Sequence, residues 1–346
     1  MSRIPVETSG MATQTSPDTG VETAVVRAAA PRRRTSRVAQ RNTLNGLIFC
    51  APSIVGLLAL TLYPLGMSLY YSFCSYTVLK PEKWVGLANY RLIFRDIATH
   101  GQLFESIVNS FYYAGLAVPL GIGAAFSMAL LLNQKVKGLA FFRTLFYVPS
   151  VLPVVASSVL WLWLLNAQHG MVNQILELLG IEKLLSLLGI KTPLGWLADP
   201  AWSKPALVLM SLWGVGNATV IFLAGLQNVP VDLYEAAELD GATPWQKTFN
   251  VTLPMVSPQI LFMLVMGLIG AVQYFTQAWV MTNGTGGPAN STMMYPMYLF
   301  QNAFQFFKMG YACAMAWLMF VAIVGATALL FRATARFVYY GGGEAR

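Results

Sequence analysis

Six stretches of this chain run for twenty residues or more with no charge except Arg143 at the start of the third: about 47–73, 107–132, 141–165, 205–226, 258–281 and 311–331. Nothing else in the sequence narrows the fold as far. A helix rising about 1.5 Å per residue needs about 20 residues to cross some 30 Å of hydrocarbon. Lipid offers no partner to an unpaired peptide group, so a spanning segment must be a helix or a closed barrel. The stretches lack the apolar/polar alternation of barrel strands. The chain therefore reads as an all-α polytopic membrane protein with six transmembrane helices. At 56% hydrophobic and 10% charged residues over 346 positions, it is too apolar for a soluble domain.

Orientation is read from lysine and arginine. With the N-terminus inside, 14 of the 22 basic residues fall in inner segments and eight in outer ones. That excess predicts both termini in the cytoplasm. Residues 1–43 form a Ser/Thr/Ala/Pro-rich tail with the run Arg32-Arg33-Arg34, then Arg37 and Arg41. Low hydrophobicity without periodicity predicts disorder there. The span that follows is longer than a signal-peptide core, so the arginines read as the inner flank of an uncleaved first helix. The tail has no interleaved aromatics for nucleic acid. Residues 341–346 make a short C-terminal tail, and 44–340 the membrane domain. Cys50, Cys74 and Cys313 are too scattered for a metal site or a disulfide framework.

The loop at 230–256, between the fourth and fifth spans, is longer than a connection requires. It has the grammar of two short helices hinged at a glycine. Asp232 or a neighbour caps the first helix. Asp240-Gly241 ends it, because glycine accepts the left-handed turn at a helix end. Thr243-Pro244 starts the second, a capping hydroxyl followed by proline at the first helical position. Ala236 and Ala237 leave a small-side-chain surface that another protein can approach.

Glu235-Ala236-Ala237, Gly241 four residues later, Phe249 and the Leu253-Pro254 ending resemble the EAA signature of ABC-importer permeases. More narrowly, the chain is similar to carbohydrate-uptake permeases related to the membrane subunits of the maltose importer. The resemblance runs over roughly 44–340. It implies the type I ABC-importer permease fold in a bacterial cytoplasmic (inner) membrane. It also implies that Glu235, Ala236, Ala237, Asp240 and Gly241 couple the chain to a cytoplasmic P-loop ATPase. The implied partners are two copies of that ATPase, a second homologous permease, an extracytoplasmic solute-binding protein and a sugar. No cofactor is expected on this chain, since it has no GxxxxGK[ST] motif; ATP and Mg belong to the partner.

The outer connections carry further signals. Val85-Gly86-Leu87-Ala88-Asn89-Tyr90 leads into a stretch where Leu92 and Phe94 alternate with charges, as in a helix lying on the outer surface. The same family shows a "GLxNY" element there. Between Asn166 and Lys204, residues 175–188 are expected to form one amphipathic helix, with Trp196 and Trp202 as headgroup anchors. Together these segments could form a landing surface for a soluble partner. The NGTGGPAN run at 283–290 reads as a flexible, helix-breaking turn. The Met-rich stretches at 263–266 and 293–297 read as gap-filling packing.

Spans without an acid, and with no base beyond Arg143 at the start of the third, weigh against a proton relay and a charged cargo, and fit a neutral polar solute. Candidate solute contacts are Trp213 and Asn217, four apart on one helical face; Gln273 and Gln277 on another, bordered by Tyr274; and Trp317 in the last span. Amides pair with sugar hydroxyls and an aromatic face stacks on a pyranose ring. The resemblance adds that the fifth span just before the TxGGP turn contacts sugar in the maltose importer, although Gln273 and Tyr274 replace that protein's paired amides. The competing description of these polar residues is interhelical hydrogen bonding. Two alternatives for the whole chain are an intramembrane enzyme and a self-sufficient secondary sugar carrier. His100 and His169 lie outside the spans and no carboxylate dyad lies within one, which disfavours the first. A carrier calls for repeated halves and broken helices with coupling acids, which the sequence does not display.

Overall fold

The computed structural model describes residues 37–78, 80–134, 137–335 and 338. The Arg32–Arg34 run, most of the expected disordered tail and the 341–346 tail lie outside the described residues. The chain divides into two compact units, Met1–Thr61 and Leu62–Arg346.

Helix α1 (Arg37–Gly56) opens the described chain and passes into a π-helical stretch, Leu57–Leu62. Residues 37–43, expected in the tail, are therefore helical. The apolar side chains from Leu44 to Val55 are exposed all round the helix, as a surface facing lipid would be. Next come α2 (Tyr63–Ser72) and an antiparallel hairpin of β1 (Cys74–Thr77) and β2 (Lys80–Trp84) that the sequence did not announce. The surface helix α3 (Ala88–Ala98) follows in the expected place, its Leu92 and Phe94 exposed and its Ile93 fully buried. Helix α4 (Gln102–Leu132) is the longest uninterrupted span. A line of small residues along it, Ala114, Ala117, Ala125 and Ala129, is buried where neighbouring helices press close. Small side chains allow that approach in lipid, where no hydrophobic force drives helices together.

The third and fourth apolar stretches are not straight. The third is α5 (Leu139–Val151) and α6 (Val154–Leu164), bent by 99°. Pro153 has no N–H for the helix ladder and forces Leu152 into an extended conformation, which accounts for the break. The fourth is α9 (Pro200–Trp213) and α10 (Gly216–Gln227), bent by 49° at Gly214-Val215. Between them lie α7 (Met171–Leu178) and α8 (Ile181–Leu187). The single helix expected over 175–188 is split at Gly180, whose φ is +68°. Trp196 is no headgroup anchor. It is 92% buried, its Nε1 donates to Asn173 Oδ1 at 2.8 Å, and its ring meets Trp202 edge to face.

The remaining helices are α11 (Val231–Leu239), α12 (Pro244–Lys247), α13 (Leu253–Met255), α14 (Ser257–Val272), α15 (Thr276–Met281), α16 (Tyr295–Phe300) and α17 (Met309–Thr334). Four segments are long and apolar enough to cross a membrane: Leu44–Ser72, Gln102–Leu132, Ser257–Met281 and Met309–Thr334. Each bent pair taken as one span brings the number to the six expected. The bent pairs also take in two cations. Arg143 in α5 donates to the Leu132 carbonyl at the end of α4, and Lys204 in the first turns of α9 donates to Asn109 Oδ1. Both sit at helix ends, where a long side chain can reach polar partners.

The 283–290 turn is tied down where flexibility was expected. Asn109 donates to the Asn290 and Met293 carbonyls, Ser203 meets Ser291 at 2.7 Å, and Gln301 donates to the Gly284 carbonyl. Met293, Met294 and Met297 are buried as packing residues beneath it.

Candidate functional site

Two polar regions stand out from this apolar frame. The first is the 231–256 connection. Helix α11 starts after Pro230, which leaves Asp232 in the first turn rather than at the cap; there its carboxylate faces the positive end of the helix. The helix ends as the sequence predicts. Gly241 lies at φ +76°, its N–H donates to the Glu238 carbonyl, and the Ala242 N–H reaches back to Ala237. That pair of bonds is a Schellman termination, satisfying carbonyls the last turn would leave open. Helix α12 then starts on a reciprocal capping box, with Thr243 N–H donating to Gln246 Oε1 and Gln246 N–H to Thr243 Oγ1. Lys247 and Glu238 form an ion pair at 2.6 Å across the hinge.

This hinged rod is anchored on one side only. Tyr234 packs against the cluster around Leu226, Val229 and Val256, and its hydroxyl meets Thr252 Oγ1 at 2.9 Å. The opposite face is bare: Glu235, Ala236, Asp240 and Gly241 are exposed, Ala237 is half-buried, and Leu239 and Trp245 are 90% and 73% exposed. Trp245 stacks on the exposed Phe249. An exposed Leu and a stacked aromatic pair thus lie beside a small-residue face, an apolar patch of the kind found at protein contacts.

The second region is a cavity of about 450 Å³ inside the helices. Three helix interruptions meet at it. Ser150, Leu152 and Val154 come from the α5–α6 break, Trp213, Gly214 and Val215 from the α9–α10 break, Tyr274 from within the α14–α15 break and Gln277 from the start of α15. Non-helical backbone at membrane depth is tolerated where it lines a cavity, and here all three breaks do so. Tyr113 of α4 covers Tyr274, ring centroids 4.1 Å apart, and Trp161 of α6 meets Trp213 edge to face at 5.9 Å. Tyr274 Oη and Trp161 Nε1 are buried and close no hydrogen bond within the chain. A buried donor left unpaired costs about 1–3 kcal/mol, which an acceptor-bearing solute can return. No Asp, Glu, Lys or Arg lines the cavity. No cluster of potential metal ligands occurs among the described residues.

The predicted solute contacts divide accordingly. Trp213, Tyr274 and Gln277 line the cavity. Asn217 and Gln273 are exposed and stand outside its lining. The shared faces expected for Trp213 with Asn217 and for Gln273 with Gln277 do not form, because the helix breaks between the members of each pair. Trp317 belongs elsewhere: its Nε1 donates to Ser68 Oγ at 3.1 Å, joining α17 to α2. Tyr113, Ser157, Trp161 and Ser211 went unremarked in the sequence. Ser157 and Trp161, four apart in a proline-initiated helix, were the signal available.

Residues 117–338 match the family described as binding-protein-dependent transport system inner membrane component. A probable ABC transporter permease protein, YesP of Bacillus subtilis, is 38% identical over 316 residues, covering 91% of this chain and 98% of that one. The lactose transport system permease protein LacF of Rhizobium radiobacter is 31% identical over 84% of this chain and 94% of its own. The trehalose/maltose transport system permease protein MalF of Thermococcus litoralis is 29% identical, covering 85% and 94%. Among solved structures, a bacterial alginate ABC transporter in complex with alginate pentasaccharide-bound periplasmic protein superposes with a TM-score of 0.70 at 21% identity, covering 89% of this chain and 99% of that one.

Proposed function

The chain belongs to the binding-protein-dependent transport system inner membrane components, and from that premise we propose that it is one of two permeases of an ATP-driven importer for a neutral sugar or sugar-like solute. It is a multi-pass inner-membrane transport subunit of an ABC system and not a secondary carrier. The observation that carries the finer reading is the pairing of an exposed, doubly capped rod with an uncharged cavity ringed by helix breaks.

In this account Glu235–Gly241 seats in a cleft of a separate cytoplasmic ATPase, with both termini of the permease on that side. ATP-driven closure of two ATPases moves two such rods together. Tyr234 and Thr252 pass the displacement to α10 and α14, which carry cavity walls. The breaks at 152–153, 214–215 and 273–275 supply positions where backbone torsions can change without disturbing the packed halves. The two states need differ by only a few kcal/mol for nucleotide binding to shift them.

Tyr274 supplies a buried hydroxyl donor, Gln277 an amide, and Trp213 an aromatic face, the set that a polyhydroxylated ring requires. Gln273 and Asn217, exposed on this chain, are assigned to the side where the second permease completes the pathway. The sugar class is supported by relatives whose names specify lactose and trehalose/maltose.

Reconstitution tests the reading. The chain is co-purified with its ATPase and second permease, placed in proteoliposomes, and supplied with purified solute-binding protein loaded with radiolabelled disaccharides. Uptake that requires both ATP and binding protein is expected. Uptake by the solitary chain, or failure to retain any P-loop ATPase, contradicts it.

A further inference from the structure

A second cavity, about 430 Å³, lies away from the central one, walled by β1, α3, the end of α16 and the start of α17. Its floor is rigid. The Asn89 side chain is buried and donates to both the Ser72 and Cys74 carbonyls at 2.9 Å. The start of α17 is pressed so closely on β1 that a Cβ at Gly310 would strike the Cys74 carbonyl, so only glycine fits.

The rim carries charge that the chain does not neutralise. Arg95 and Lys308 line the cavity, and neither forms an ion pair with a described residue. Lys308 is held in place: its N–H donates to the Asn302 carbonyl at 2.8 Å, and Phe307 before it is in the left-handed region at φ +54°, where an aromatic residue is rarely found. Such a conformation persists only where the surroundings enforce it. Asp96, the one acid in the lining, is already engaged, its Oδ2 accepting from the Leu103 N–H at the start of α4. Burial raises the pKa of Tyr298 against the opposing effect of a hydrogen bond with Asn302, and the Asp96 charge adds to the rise, so its hydroxyl stays neutral. Two cations and one acid leave the lining one charge positive.

Resting on the importer reading above, we propose that this cavity receives a single carboxylate, an Asp or Glu side chain of the docked solute-binding protein. A rigid floor, a surplus of donors and a net charge of +1 match one monoanion. The cavity is built from the outer hairpin and surface helix, at the opposite ends of the spans from the rod that seats the ATPase. An extracytoplasmic partner must land at that end. Desolvation of the pair inside the interface makes it stronger than an exposed rim contact.

The test uses the reconstituted complex and the solute-binding protein that drives its uptake. Arg95→Gln and Lys308→Gln, alone and together, are expected to raise the binding-protein concentration for half-maximal uptake about tenfold or more. The rate at saturating binding protein and ATP hydrolysis without it should be retained. The dependence of half-saturation on salt should flatten. Charge reversal at one acidic surface position of the binding protein should restore affinity to Arg95→Glu. An unchanged half-saturation in the double variant overturns the proposal. So does a shift seen only in vesicles containing phosphatidylglycerol and absent in pure phosphatidylcholine, which would assign the cavity to a lipid phosphate. In either case wild-type uptake that follows added binding protein upholds the importer reading independently.

Discussion

The rod at 231–256 and the cavity among the helix breaks are both polar regions in an apolar chain, yet they are specified in different ways. The rod is local. Its start, hinge and restart are decided within seventeen residues, from Pro230 through Gly241 to the Thr243–Gln246 box. The cavity is assembled from α4, α6, α9 and α14–α15, elements more than a hundred and fifty residues apart from first to last. A local device can be altered without disturbing the fold around it. An assembled one couples to packing at every wall. The difference matters for function, because force must be received at a surface that keeps its shape and expressed in a space that changes.

The largest effect expected from breaking this contrast is at Gly241. A Cβ there meets no neighbouring atom, but valine must adopt φ near +76°, at a cost of about 1–2 kcal/mol. Uptake should fall more than tenfold, whereas the yield and thermal melting of the purified chain hold within error; joint loss of folding and uptake would erase the rod's independence. At the cavity, Tyr274→Phe removes a buried donor that the empty chain leaves unpaired. The account expects apparent solute affinity to weaken about five- to fiftyfold, from the ~1–3 kcal/mol attached to such a donor. Melting of the solute-free chain should be unchanged or slightly raised, a combination that a purely structural hydrogen bond would not give.

Smaller effects sharpen the boundary between the two regions. Thr243→Ala removes one half of the capping box and should lower the stability of the rod by about 1 kcal/mol. Hydrogen exchange confined to 243–252 is the readout, with solute affinity intact. Trp317→Phe breaks the bond to Ser68. It should lower melting modestly and leave solute affinity alone, which separates it from Trp213. Smallest of all, Lys247→Ala should change uptake less than twofold, because Glu238 is 64% exposed and such pairs contribute about 0–1 kcal/mol.

How much of this was legible follows from the same contrast. The six spans were visible because hydropathy is summed over twenty residues and tolerates a bend. The bends themselves were not: Pro153 and Gly214 stand in segments that read as continuous, and only the 99° and 49° turns show that the helices stop. Those breaks undid the expected pairing of Trp213 with Asn217 and of Gln273 with Gln277, since i, i+4 reasoning assumes an unbroken helix. Trp161 escaped notice because a buried aromatic in a span looks like packing until its indole N–H is found without a partner, and Tyr113 because its role shows only once its ring is seen to cover Tyr274. Trp196 misled in the other direction, its Asn173 partner lying 23 residues away. The rod, by contrast, was read almost residue by residue, the exception being Asp232, displaced from the cap by Pro230.

The central claim is that movement received at Gly241 changes access to the cavity near Gln277. It is tested by thiol labelling of Gln277→Cys with a membrane-impermeant reagent added outside, in the reconstituted complex with Cys50, Cys74 and Cys313 replaced by serine. ATP with vanadate should raise outside labelling severalfold, and adding Gly241→Val should abolish the rise while ATP hydrolysis measured without vanadate is retained. An equal rise with and without Gly241→Val would contradict the account.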